Sequence, residues 1–128
     1  MMDYRTPLAK AQGLGSAKSG TQHWWMQRVT AVALIFLSFW LILFIQQLFH
    51  ASYPEIKKWL VEPLNFTLLI TWVFVGFYHA ALGLQVIIED YLSPEWLKIV
   101  LIWGIKLAFL GTAIMGLVYT IRIAISVG

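Results

Sequence analysis

The 128-residue chain contains no cysteine. That excludes a disulfide framework, a thiolate metal site and an iron–sulfur cluster ligated by this chain. Charge is also scarce. Charged residues make up 12% of the sequence, against about 25% in a soluble domain. The nine lysines and arginines exceed the six acids by three, and they are scattered. No basic stripe for nucleic acid forms, and no glycine-rich nucleotide loop is present. The N-terminal region has no apolar core followed by a small-residue cleavage site, so it does not read as a secretory signal.

What remains is largely apolar: 60% hydrophobic residues, including seven tryptophans and eight phenylalanines. The expected fold class is an all-α membrane protein with three transmembrane helices. Val29 to Phe49 carries no charge over 21 residues, which as a helix spans roughly 30 Å, about one hydrocarbon core. Pro63 to Ile88 has 26 uncharged residues, and Trp96 to Ile121 is interrupted only by Lys106. The expected helices run over about 28–49, 63–89 and 96–122, within an anchor domain of residues 28–128. Residues 1–27 form a polar segment, with Arg5, Lys10 and Lys18 against Asp3 and a glycine- and serine-rich run from Gly13 to Gly20.

His50 to Glu62 mixes polar, charged and aromatic residues and is expected to be a short interfacial turn or helix. Ser93-Pro94 marks the start of the third span. With three spans, Arg5, Lys10, Lys18, Arg28 and Lys98 share one side, and Lys57, Lys58 and Arg122 the other. The positive-inside rule then puts the N-terminus in the cytoplasm and the C-terminus in the periplasm. Gly104, Ala108, Thr112 and Gly116 recur every four residues, which predicts a close helix-packing seam.

Few residues could carry chemistry. His79 lies deep within the second span, where an ionisable side chain is costly and tends to serve a metal, a proton or a polar partner. Gly76, Ala80 and Gly83 share its helical face and leave room for a broad, flat group. We read His79 as a haem ligand; the alternative is a histidine hydrogen-bonded between helices. His23 and His50 lie at span ends, so a second axial histidine would come from another chain, making the bundle hetero-oligomeric. Arg28 stands where the first span begins, as a topology anchor or as a carboxylate contact. Asp90 falls about 20° round the helix from His79 and roughly 16 Å along it, with Tyr91 beside it. This pair could orient a quinone carbonyl, or be an interfacial tyrosine and a solvated acid. Lys106 could snorkel or pair with a partner's acid.

Together these residues are more specific than any one alone. His79-Ala80-Ala81-Leu82-Gly83-Leu84-Gln85-Val86-Ile87-Ile88-Glu89-Asp90-Tyr91 resembles the H-x-x-x-G-x-x-x-(I/L/V)-x-x-D-Y motif of the smaller hydrophobic anchor subunit of succinate dehydrogenase. His23 to Ala31 is similar to that family's first-helix start. Arg5-Thr6-Pro7-Leu8 and Gly13 to Lys18 resemble bacterial, alphaproteobacterial members. The resemblance implies an anchor that, with a second hydrophobic anchor subunit, binds haem b. It also implies docking of an iron–sulfur subunit and a flavoprotein subunit carrying FAD, for electron transfer from succinate to ubiquinone across the inner-membrane surface. His79 would be one axial ligand, and the partner anchor would supply the other. Arg28, with His23, would meet a haem propionate, and Tyr91 with Asp90 would bind ubiquinone. A haem-free structural anchor and a fumarate reductase anchor are the alternatives. A transporter would need several intramembrane charges, and only His79 and Lys106 qualify. Nucleic acid is not an expected partner; membrane lipid is.

Overall fold

The computed structural model describes residues 6–8 and 18–126. The expectations for Asp3, Arg5, Lys10 and the Gly13–Ala17 run lie outside the described residues. Among the described residues four long or medium helices follow one another: α1 (Lys18–His50), α2 (Tyr53–Val61), α3 (Pro63–Tyr91) and α4 (Glu95–Ile125). There is no strand among the described residues. The helices α1, α3 and α4 are long and apolar enough to cross a membrane, and each expected span lies within one of them. The division expected at residue 28 falls inside α1, which starts ten residues earlier, at Lys18. Thr21 to Gln27 is polar and aromatic but contains no helix breaker, so the helix continues beyond the hydrocarbon-length run.

Proline and serine set the other boundaries. Ser52 is extended (φ −70°, ψ 159°) and caps α2, with Pro54 in the first turn. Its backbone N–H donates to Glu55 Oε2 at 2.7 Å, and its hydroxyl donates to the same oxygen at 2.6 Å. These bonds, the hydroxyl's first, hold the Glu55 carboxyl below its ordinary value. A lowered native value means the contribution is present above the unfolded carboxylate range and is lost as pH falls through the native one. Pro63 opens α3. Leu92 turns extended (φ −103°, ψ 133°) and ends α3; Pro94 then caps α4.

The three long helices form a layer rather than a triangle. Helix α3 packs on α1 along one side and on α4 along the other, while α2 tucks against α3 and α4. At the α2 end, Trp40, Phe44 and Trp59 stack with ring centroids 5.6–5.9 Å apart. Buried Asn65 joins the stack. It accepts from Trp40 Nε1 at 3.0 Å and donates through Nδ2 to the Trp59 carbonyl at 2.8 Å. One amide thus satisfies an indole and a backbone carbonyl where water is scarce.

The α3–α4 contact is built on small residues, though not along the whole expected stripe. Ala113 is 2% exposed, and Phe77 meets Phe109 with centroids 5.5 Å apart. A Cβ added to Gly116 would lie 3.5 Å from Val73, an ordinary contact, so this end of the stripe faces α3. Gly104, Ala108 and Thr112 are exposed, and nothing lies within 4 Å of a Cβ at Gly104. The stripe drifts about 40° per four residues, so only its Gly116 end reaches α3. Most large apolar side chains of α1 and α4 also face outward, among them Phe36, Phe39, Trp103 and Leu107. That distribution suits a chain whose surroundings are acyl tails and other helices.

Candidate functional site

His79 stands midway along α3, facing α1. Its Nδ1 lies 2.8 Å from Thr30 Oγ1, and Thr30 is 6% exposed. The Thr30 oxygen is also 2.7 Å from the Met26 carbonyl and 3.2 Å from the Gln27 carbonyl. A hydroxyl has one proton to give. Two carbonyl oxygens cannot donate, so that proton goes to the backbone of the preceding turn, closest at Met26. The bond to His79 then runs the other way: Nδ1–H donates to Oγ1. In a neutral ring, that leaves the lone pair on Nε2. Nε2 has no partner among the described residues, and it is not among the enclosed polar atoms.

The imidazole lines an open groove of about 430 Å³, together with Ala31, Leu34, Ile35, Ser38, Phe39 and Ile42 of α1. These positions form one side of α1, apolar except for Ser38, with small residues at Ala31 and Ser38. The expected space beside Gly76 and Gly83 is used differently. A Cβ at Gly83 would lie 3.6 Å from Gln27 Nε2, and one at Gly76 would lie 4.0 Å from Leu34 and 3.9 Å from Trp72. The glycines therefore admit α1, and the flat opening next to His79 lies along α1 instead.

Arg28 is exposed, and its guanidinium carbon stands 5.4 Å from the Trp24 ring centroid. It is about 160° round α1 from Thr30, and about 60° from Ala31 one turn on. That places it on the groove side of α1, at the end nearer the N-terminus. His23 is elsewhere. It lines a second pocket of about 370 Å³ with Gln22, Tyr78, Gln85, Glu89 and Lys106. Its Nε2 is enclosed without a hydrogen-bond partner, as is Gln27 Oε1. Arg28 and His23 therefore do not converge within this chain. Lys106 borders the same pocket, with its ammonium 5.9 Å from the Trp103 centroid.

Asp90 and Tyr91 close α3 at the end where α1 starts. Both are exposed, Tyr91 at 83%. The helix stays regular through Tyr91, so the phenol is not turned towards α1. The contact that sequence reasoning missed is Thr30. Its only signal was that Thr30 and Ser38 are the sole hydroxyls between Val29 and Phe49.

Chemically, the arrangement offers one imidazole, tied through Nδ1 to Thr30, at the edge of an apolar, outward-opening groove. No group of three or more His, Cys, Asp or Glu side chains that could hold a metal ion occurs among the described residues. A lone imidazole suits a metal whose other positions are filled by a macrocycle and a second chain.

Comparison with known proteins agrees in family. Residues 2–121 match the succinate dehydrogenase/fumarate reductase transmembrane subunit family. The succinate dehydrogenase hydrophobic membrane anchor subunit of Rickettsia bellii is 42% identical over 82% of this chain and 84% of its own length. The subunit of the same name from Paracoccus denitrificans is 32% identical over 81% of each chain. The succinate dehydrogenase membrane anchor subunit of Reclinomonas americana is 33% identical over 70% of this chain and 77% of its own. No solved structure matches. The chain belongs to the family of succinate dehydrogenase hydrophobic membrane anchor subunits.

Proposed function

We propose that this subunit helps to bind haem b and ubiquinone, and docks the iron–sulfur and flavoprotein subunits for electron transfer from succinate to ubiquinone. The observation that carries the reading is the orientation of His79. Its Nδ1 is engaged by Thr30, its Nε2 has no partner among the described residues, and the ring lines an open, largely apolar groove. The residues fit the group: an imidazole nitrogen for iron, apolar walls for a porphyrin face, and a guanidinium on the same side of α1 for a propionate. Bound there, haem b supplies a one-electron carrier between the two anchors. His79 would be the residue of this chain that holds the haem iron, with a residue of the second hydrophobic anchor subunit. Arg28 pairs with a propionate. His23, five residues before it on α1 with an unpartnered Nε2, would assist at the propionates.

Tyr91 donates its phenol O–H to a ubiquinone carbonyl, and Asp90 orients that site and relays protons. Reduction of the quinone consumes two protons, so the site must meet water; the end of α3 does, and the bilayer centre does not. The exposure of Tyr91 leaves its hydroxyl free for substrate, with the iron–sulfur subunit closing over it. Residues 1–27 then face the cytoplasm and the C-terminus the periplasm, with FAD and the iron–sulfur clusters held by the partner subunits on the inner side.

The test is the complex purified in mild detergent. A b-type reduced-minus-oxidised spectrum with three co-purifying subunits is expected. A complete complex without haem would leave the tethering role and remove the redox one. A C-terminal reporter exposed to the cytoplasm would overturn the orientation.

A further inference from the structure

We infer that Thr30 is the positioning residue for His79: it fixes the imidazole tautomer and tunes the nitrogen that binds iron. The inference rests on the reading of His79 as an axial ligand. Its own support is the geometry around one oxygen atom. Thr30 Oγ1 meets the Met26 carbonyl at 2.7 Å, the Gln27 carbonyl at 3.2 Å and His79 Nδ1 at 2.8 Å. With its proton committed to the helix backbone, the hydroxyl can only accept from the ring. A neutral imidazole that donates through Nδ1 carries its lone pair on Nε2, the nitrogen left for a ligand.

Two further consequences follow from position. Thr30 belongs to α1 and His79 to α3, so the bond locks the ring against rotation about its own helix axis. The ring plane is thereby set relative to the α1 side chains of the groove, Ala31, Leu34 and Ser38. An acceptor on Nδ1–H also raises the basicity of Nε2, which makes it a better donor to the oxidised metal. Thr30 is 6% exposed, so little solvent competes at its hydroxyl and the bond counts for more than it would in water. Within lipid-depth helices, a threonine bonded only to its own backbone is an ordinary device for hiding a hydroxyl. Thr67, Thr71, Thr112 and Thr120 each make that single bond to the carbonyl four residues back. Thr30 makes the same bond and, in addition, reaches across to a different helix, which is what sets it apart.

The test uses the whole complex, comparing Thr30→Val, which keeps the shape and removes the hydroxyl, with Thr30→Ser, which keeps the hydroxyl. Haem per flavin, the low-spin electron paramagnetic resonance g-values and the haem reduction potential are read. Succinate oxidation with an artificial acceptor reports assembly. Thr30→Val is expected to shift the g-values and raise the potential, or to lose haem, while Thr30→Ser stays close to wild type. Unchanged g-values and potential in Thr30→Val would overturn the inference and leave His79 ligation standing. Equal loss of haem or of assembly in both variants would overturn it too, as a packing effect. A wild-type complex without haem would remove the His79 reading, and this one with it.

Discussion

At the scale of single residues, the chain separates two jobs along one helix. His79 is held from the side by α1, in the apolar middle of α3. Tyr91 stands at the helix end, regular in backbone and open to whatever lies beyond. This separation predicts a split phenotype. Tyr91→Phe keeps the ring and removes only the phenol O–H. Quinone reduction should then slow by roughly 10- to 100-fold, the cost of one hydrogen bond made in the reaction. Succinate oxidation with an artificial acceptor and the b-type spectrum should both be retained. Steady-state assays of the two activities on the same membranes decide it. Equal loss of both would mean that Tyr91 supports assembly and not the quinone.

At the scale of elements, α2 is fastened by a buried amide. Asn65 links the Trp40 indole to the Trp59 carbonyl under a three-ring stack. Asn65→Ala would strand both groups and is expected to cost about 1–3 kcal/mol. The melting temperature of the detergent-purified complex should fall, with the haem spectrum unchanged because Asn65 lies about 21 Å along α3 from His79. An unaltered melting temperature would show that the stack holds α2 without it.

Sequence patterns were informative about these elements where they follow from one physical cause. The uncharged runs, and prolines at 63 and 94, mark where α3 and α4 lie because lipid and backbone sterics act on each residue separately. The start of α1 was not legible, since hydropathy registers lipid depth, whereas a helix continues until something breaks it. The Thr30–His79 bond joins residues 49 apart and depends on the rotation of two packed helices, which no local pattern encodes. The stripe from Gly104 to Gly116 is accounted for only in part, for the same reason. Small residues state that something approaches closely, but not which helix, and only Gly116 meets one in this chain.

At the scale of the whole molecule, the layer of three helices is half a structure. Its core is thin, α1 and α4 show large apolar side chains outward, and the groove beside His79 has a floor and one wall. A sister anchor covering α1 would supply the missing wall and the opposing axial ligand. On the proposed reading the defining contact would lie between subunits, with His79 supplying this chain's ligand to iron. The most direct test replaces that imidazole with space, using the purified complex with His79→Gly and low-temperature spectra taken with and without added imidazole. The account predicts that the six-coordinate low-spin b-type signal is lost in the variant and returns when imidazole fills the gap. A wild-type signal in His79→Gly without imidazole would contradict it.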